Sequence, residues 1–244
     1  MQKIVANTIV NKITNAVGNA INVLTNTIAS KSNVDNKKHS GAPGGAPGCG
    51  YNGMYARGCC GSVHSSNEYL TENEMKDNAV YIYEVFNSNG GSKNAIYAIL
   101  ANMQSESTLN PGIGEKSNSK TGLGLTQWTP YQGVDYYGNW VDANGLPRNS
   151  IDTQLARIQA EVDDPYLAPV QWGKKRDWPG FDMTFKKFSV SNESAEYLTQ
   201  VFMYMYEGPD YTIAMQPNIS GETELEERQR HAREWQYFFE NEYN

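Results

Sequence analysis

The amino-acid sequence predicts an α+β fold, in which a mostly helical domain carries one small β-hairpin or sheet. Apolar residues recur at helical spacing through most of residues 68–244, whereas one short segment between glycines alternates apolar and polar residues. A change in composition near residue 66 separates this domain from what precedes it. The sequence therefore predicts a helical arm at residues 1–30, a linker at residues 31–66 and a folded domain at residues 67–244.

Length and charge limit the functions that the chain can have. Its 244 residues, with 39% apolar and 11% aromatic content, are enough for one substantial core. Residues 1–67 carry six basic side chains and one acidic one, for a net charge of +5. Residues 68–244 carry 14 basic and 26 acidic side chains, for a net charge of −12. Because nucleic-acid binding requires clustered Lys and Arg, no nucleic-acid partner is predicted.

The first thirty residues predict an amphipathic helix. Apolar residues follow one another at alternating spacings of four and three, namely Ala6, Val10, Ile13, Val17, Ala20 and Leu24. Asn and Thr on the other side make the segment too polar to span a membrane, and no secretion signal is evident. The stripe is typical of a helix that docks on a partner protein or on copies of itself. Contact with a membrane surface is the alternative that the basic charge leaves open.

The linker prediction rests on the segment "GAPGGAPGCG" and on many Ser and Asn residues, which bury too little apolar area to fix a conformation. All three cysteines of the chain lie here, at Cys49, Cys59 and Cys60. Free thiols or one local disulfide are expected. A zinc site with His39 and His64 is the alternative, although the spacing fits none of the regular zinc patterns. We predict no metal and no cofactor.

Five helices are predicted in the acidic domain. Thr71 and Glu74 form a capping box at the start of the first, and two glycines end it. Ser92 caps the second, which should be buried and which Pro111 prevents from continuing. The remaining three are predicted at residues 151–163, 193–207 and 222–241. The alternating segment "TGLGLTQWTP" predicts a strand or half of a hairpin.

Glu106 is the residue that points to a chemical function. It occupies the last turn of the second predicted helix, where the negative end of the helix dipole disfavours an ionised carboxylate. Partial burial beside Met103 or Trp128 would disfavour it further, so we expect a raised pKa. A glycosidase needs such a protonated carboxylic acid to donate to the leaving sugar oxygen. From position alone, a Glu at a helix end is usually a solvated charge, so the interpretation depends on the neighbouring residues.

The residues around Glu106 resemble a known family. The segments "ANMQSESTLNPG" and "GLGLTQWTP", with "SNEYLTENEMKDNAVYIYEVF" ahead of them and "YEGP" behind, resemble the phage tail-tip lysozymes of viruses that infect Gram-positive bacteria. The resemblance extends from about Tyr69 to Tyr237. It implies a lysozyme-like fold, peptidoglycan glycan strands as substrate and a general acid at Glu106. The wider lysozyme and lytic transglycosylase superfamily shows an "ES" pair and a "GLxQ" segment, matched here by Glu106, Ser107 and residues 124–127.

The resemblance also implies a second catalytic group. Phage muramidases show a Glu, eight residues, an Asp, five residues and a Thr, and this chain has Glu106, Glu115 and Thr121 at those spacings. It departs from the pattern by having Glu in place of Asp. If Glu115 lies about 6.5 to 9.5 Å across a cleft, a water molecule fits between the carboxyl groups and the anomeric configuration inverts. Thr121 would help to hold that water. A solvated loop charge is the alternative for Glu115, and Asp135 is a weaker substitute.

Candidate sugar-binding residues follow the acid in the sequence. Gln127 can both donate to and accept from a sugar hydroxyl or N-acetyl group. Trp128 and Tyr131 can stack on pyranose rings. Tyr206, in "YMYEGP", is predicted at the cleft-side end of a core helix with its hydroxyl near the acid, and core packing is the alternative.

Together these observations predict a muramidase on the phage tail tip, which cleaves the β-1,4 bond between N-acetylmuramic acid and N-acetylglucosamine in a Gram-positive cell wall. Residues 1–30 would dock on phage tail proteins. A lytic transglycosylase, which cuts the same bond with one Glu and the sugar's own hydroxyl, is one alternative. A structural tail or wall-binding protein without catalysis is the other.

Overall fold

The computed structural model describes residues 63–115, 122–164, 166–167, 171–173 and 178–243. The predicted arm, most of the predicted linker and Thr121 lie outside the described residues. Within these ranges the prediction of a mostly helical domain is confirmed. None of the helices in the described ranges combines the length and the apolar character that crossing a membrane requires.

The helices are numbered here in chain order. They are α1 (Glu72–Ser88), α2 (Lys93–Ser107), α3 (Tyr136–Asn144), α4 (Ile151–Asp163), α5 (Phe185–Ser189), α6 (Ala195–Phe202), α7 (Tyr211–Ala214) and α8 (Glu224–Tyr237). Helix α6 continues into the π-helical segment Met203–Glu207, and α8 continues into Phe238–Glu242. All five predicted helices are therefore present. Helices α3, α5 and α7 are too short to produce a clear apolar period, and the sequence analysis does not include them.

Helix α2 lies at the centre of the described fold. Every residue from 95 to 103 is buried, and α1, α6 and α8 all pack against this helix. A helix that is apolar on all sides is stable only when neighbours cover all of them. At its start the Ser92 hydroxyl accepts a hydrogen bond from the Ala95 N–H, as predicted. The last turn of α2 carries Glu106, so the whole core fixes the position of this residue.

The predicted hairpin is not found among the described residues. Instead, isolated antiparallel bridges join three pairs: Gly114 with Leu123, Leu123 with Trp128, and Tyr131 with Val134. The reason is that Gly124 and Gln127 have φ angles of +75° and +48°, which reverse the chain inside the segment. The alternating residues therefore form a tight loop. We call residues 122–128 the GLGL loop.

Candidate active site

The chain leaves helix α2 through two residues in the left-handed conformation. Thr108 and Leu109 have φ angles of 54° and 59°, which are costly for residues with side chains. Two contacts hold them there. The Thr108 hydroxyl accepts a hydrogen bond from the Leu70 N–H at 2.9 Å. The Asn78 amide donates to the Leu109 carbonyl at 2.8 Å. The turn that follows Glu106 is therefore fixed by the segment around α1.

Asn110 ties the start of the described domain to this turn. Its buried Oδ1 accepts hydrogen bonds from the N–H groups of Ser66 and Gly112, at 3.1 and 2.9 Å. Its Nδ2 donates to the carbonyl groups of Ser66 and Glu68, at 2.9 and 2.6 Å. The side chain thus uses all of its donors and acceptors on backbone groups. In the family-like segment "STLNPG", Asn110 serves the architecture of the site.

Glu106 faces a buried arginine. Its Oε1 lies 2.5 Å from Nη2 of Arg228, and its side chain is 20% exposed. The same Nη2 donates to Glu224, one turn earlier on α8, and Nη1 donates to Asn102 at 2.9 Å. We call these four residues the Arg228 cluster. The partial burial expected for Glu106 is present, and its nearest charged neighbour is the guanidinium of Arg228.

Arg228 keeps its charge although it is buried. Burial by itself lowers the pKa of a guanidinium, but the charges of Glu106, Glu224 and Glu207 together raise the pKa of Arg228 above its ordinary value. Glu207 ends the π-helical segment that follows α6. One positive charge is therefore shared among three nearby carboxylates.

His231 lies one turn after Arg228 and contributes no positive charge at neutral pH. Its Nδ1 is 3.3 Å from the Ser105 hydroxyl, next to Glu106 in the chain. Burial, aided by the charge of Arg230, lowers the pKa of His231 to about 4. The positive charge beside Glu106 at neutral pH is therefore that of Arg228.

The GLGL loop is held against the end of α2 and against α4. The Ser107 hydroxyl donates to the Leu125 carbonyl at 3.0 Å. On the other side of the same residue, Gln154 of α4 accepts from the Leu125 N–H at 2.9 Å. The Gln154 amide also donates to the carbonyls of Pro111 and Arg148, at 2.8 and 3.0 Å. Leu125 is thus fixed between the residue after Glu106 and a buried glutamine.

Glu115, the predicted base, forms two hydrogen bonds with Gly122, the first residue of the GLGL loop. Its backbone N–H donates to the Gly122 carbonyl at 2.8 Å, and its carboxylate accepts from the Gly122 N–H at 3.1 Å. The side chain is partly exposed. Thr121, its predicted helper, lies outside the described residues.

The predicted sugar-binding residues in the GLGL loop and just after it differ in exposure. Gln127 donates to the carbonyls of Gly124 and Ile113, at 3.0 and 3.3 Å, so its amide supports the loop itself. Trp128 is buried and stacks on Tyr137, with ring centroids 4.5 Å apart and planes at 10°. Tyr131 is 65% exposed, so its side chain is the most open to solvent of the three.

Tyr206 lies in the core. Its ring is fully buried and stacks on Phe202, and its hydroxyl donates to Oε2 of Glu161 at 2.6 Å. Oε1 of Glu161 is 2.7 Å from Nε of Arg157, which forms a second buried ion pair. Burial and the charge of Glu161 raise the pKa of the Tyr206 hydroxyl. The structure thus joins this hydroxyl to Glu161, whereas the carboxylate of Glu106 is bound to Arg228.

Sequence reasoning missed Arg228 and Glu224, although a signal for Arg228 is present. The inward side of α8 and of the π-helical segment after it follows spacings of three, four, three and four, through Leu225, Arg228, Ala232, Trp235 and Phe239. An arginine inside an apolar stripe must find a charge partner in the core, because a buried unpaired charge is very costly. The identity of that partner cannot be read from α8 alone.

Two comparisons with known proteins found relatives of this chain. A family model described as phage tail lysozyme matches residues 77–239. Morphogenesis protein 1 of Bacillus phage B103 is 44% identical over 149 residues, which are 60% of this chain and 38% of that protein. The chain thus aligns with well under half the length of this relative. The range matched by the family model includes Glu106, the GLGL loop and Arg228.

Proposed function

The chain belongs to the phage tail lysozyme family, and from this premise we propose that it is a peptidoglycan hydrolase with Glu106 as its general acid. The bond cleaved is the β-1,4 link between N-acetylmuramic acid and N-acetylglucosamine. One observation carries the proposal: the Glu106 carboxylate is partly exposed at the end of a fully packed central helix. A fixed carboxyl group that substrate can still reach is what proton donation to a sugar oxygen requires.

In the proposed reaction, Glu106 donates its proton to the glycosidic oxygen while the bond from that oxygen to the sugar C1 breaks. Positive charge develops on the sugar ring, and the departing sugar leaves with the proton as a hydroxyl. The carboxylate that remains on Glu106 lies 2.5 Å from Arg228. The guanidinium therefore stabilises negative charge that appears during the reaction, which lowers the barrier without any movement of the protein.

The group that attacks C1 determines the type of enzyme. In a muramidase, Glu115 accepts a proton from a water molecule that attacks C1, and Thr121 helps to hold that water. The hydrogen bond from Gly122 to the Glu115 carboxylate supports this role, because it orients the side chain at the edge of the GLGL loop. In a lytic transglycosylase, a hydroxyl of the sugar attacks C1 in place of water and gives its proton to the Glu106 carboxylate. Hydrolysis leaves a reducing end, whereas transglycosylation leaves an anhydro sugar.

Sugar binding is assigned mainly to Tyr131. Its exposed ring can stack on a pyranose, and aromatic faces are well suited to the apolar face of a sugar. Gln127 and Trp128 then contribute indirectly, because their contacts hold the GLGL loop that precedes Tyr131 in the chain.

Delivery to the wall is the other part of the proposal. The family is described as phage tail lysozyme, and the relative from a Bacillus phage is named a morphogenesis protein. We therefore assign the chain to the virion, at the tail tip of a phage that infects a Gram-positive host. Residues 1–30 would dock on tail proteins, and residues 31–66 would let the acidic domain reach the glycan strands. Tethering raises the local concentration of enzyme at the wall, which compensates for the lack of favourable charge.

The decisive test is the substitution Glu106→Gln, assayed for release of reducing ends or anhydro sugars from purified peptidoglycan. We expect cleavage to fall by about 10²- to 10⁴-fold, the usual contribution of a general acid. Glu224→Gln is the matched control, because it removes the other carboxylate of the same guanidinium. It should retain cleavage near its own optimum pH. Cleavage by Glu106→Gln at the wild-type rate would refute the acid role, and a wild-type chain that cuts no wall would favour the structural alternative.

A further inference from the structure

We propose that Arg228 is a positioning residue that, together with Glu224, sets the pH range in which Glu106 works as an acid. The proposal rests on the proposed function, since it assumes that Glu106 donates the proton. Arg228 is 2% exposed, so it acts on substrate only through Glu106. Glu224 is 30% exposed and shares the same Nη2 atom with Glu106.

The guanidinium has one orientation because Asn102 holds its other branch. The Asn102 amide donates to the carbonyls of Ala98 and Thr199, at 2.8 and 3.3 Å. Its Oδ1 is therefore left to accept from Nη1 of Arg228, at 2.9 Å. This buried contact joins α2, α6 and α8. A planar guanidinium fixed at one branch presents its other branch in a defined direction, which a lysine ammonium cannot reproduce.

The two carboxylates compete for one positive charge. Arg228 stabilises the ionised form of Glu106, and thus opposes its keeping a proton. Glu224 has the opposite effect, because it takes part of the same hydrogen-bonding capacity and adds a negative charge nearby. Because Glu106 and Glu224 pair with the same nitrogen of Arg228, a change in either neighbour of Glu106 alters the pH at which it loses its proton.

Apart from Glu234, which the control variant below replaces, the other charged groups around α2 are unchanged in the variants proposed here. On α8, His231 is held neutral at neutral pH, and at the end of the π-helical segment Glu207 adds a third carboxylate near Arg228. Several other charged groups on the neighbouring helices have partners of their own. These pairs are Arg230 with Glu222, Glu227 and Glu234, Glu196 with Arg233, Lys186 with Asp163, Lys76 with Glu72, Asp77 and Glu74 with His64, and Glu84 with Tyr243. The predicted shifts therefore come from the Arg228 cluster.

The experiment compares pH profiles of glycan cleavage for the intact wild-type chain and three variants. A general acid loses activity on the alkaline side, where it gives up its proton before substrate binds. Arg228→Gln should move this alkaline limb to higher pH by about one to three units, the usual effect of removing a neighbouring opposite charge. Glu224→Gln should move it to lower pH by about one unit. Arg228→Lys keeps the charge, so its limb should stay near that of the wild type while kcat falls at every pH.

Opposite signs distinguish this role from a structural one. If Arg228→Gln and Glu224→Gln only lower activity, or move the limb in the same direction, the proposal is overturned. Glu234→Gln is the control, because Glu234 is an exposed carboxylate of α8 that pairs with Arg230, and its limb should not move. If the Arg228 variants do not fold, Glu224→Gln decides alone. An alkaline limb that stays at the wild-type pH, or moves to higher pH, refutes the model.

A second readout does not depend on activity. The carboxyl carbon of Glu106 can be followed by NMR during a pH titration, with its signal assigned by its loss in Glu106→Gln. The titration midpoint should rise in Arg228→Gln and fall in Glu224→Gln. Opposite shifts in a chain that cleaves no glycan would support the electrostatic model and reject the proposed function. If the chain cleaves glycan but both variants keep the wild-type titration midpoint of Glu106, the electrostatic model is rejected and the proposed function is retained.

Discussion

Gln154 provides the sharpest test of how the site is built. The substitution Gln154→Leu keeps the approximate size of this buried side chain but removes its amide. Two backbone groups then lose their partner: the Leu125 N–H at 2.9 Å and the Pro111 carbonyl at 2.8 Å. The Arg148 carbonyl loses the Gln154 bond of 3.0 Å but keeps the hydrogen bond that the Tyr137 hydroxyl donates to it. The variant therefore tests whether one side chain connects the GLGL loop to α4.

The magnitude follows from the number of groups left without a partner. Each buried polar group without a hydrogen bond costs about 1 to 3 kcal/mol, and a carbonyl tolerates the loss better than an N–H. Greater burial of apolar surface by leucine offsets about 1 kcal/mol of this. We expect the free energy of unfolding to fall by about 2 to 4 kcal/mol, a large share of the 5 to 15 kcal/mol typical of a domain.

The assay is urea denaturation at pH 7, followed by circular dichroism and tryptophan fluorescence. Gln159→Leu is the matched control, because Gln159 lies on the same helix but bonds to the exposed Asp163 at 2.8 Å. Its expected loss is below about 0.5 kcal/mol. If Gln154→Leu loses no more than Gln159→Leu, the loop does not depend on the Gln154 amide and the reasoning is wrong.

Two further predictions concern the same region. Gly124→Ala should destabilise by about 1 to 3 kcal/mol more than Gly133→Ala in urea denaturation. Both glycines have positive φ, but only the new Cβ at Gly124 would meet a neighbour, the Gln154 amide at 2.3 Å, so equal losses would contradict the packing. For His231, the pKa of about 4 in the fold lies below its ordinary value of 6.5, so the unfolded chain binds the proton first as the pH falls. The stability from the neutral ring is fully present above about pH 6.5 and is lost between pH 6.5 and 4. His231→Gln should therefore lose about 2 to 3 kcal/mol less than the wild type between pH 7 and 4.5, and equal losses would show that another group titrates.

The sequence predicted the helices well because their signals are local. Ser92 caps α2 by a contact three residues away, and the capping box joins Thr71 and Glu74 with a hydrogen bond of 2.8 Å. The GLGL loop was not predicted, since its alternating residues are equally consistent with a strand. The positive φ angles of Gly124 and Gln127, which the loop requires, are stabilised by groups elsewhere in the chain, notably Gln154.

The sequence by itself determined that Glu106 ends a buried helix and that its neighbours resemble a phage tail lysozyme. Apolar spacing and capping residues carry that information, because a helix is built from contacts within four residues. Only the tertiary structure decided what the carboxylate faces: a guanidinium that comes from a position 122 residues later. The same holds for Tyr206, whose hydroxyl is bound by Glu161 across 45 residues of chain. Such pairings depend on how helices pack and on which side chains share a buried space, and neither is encoded in the period of a single helix.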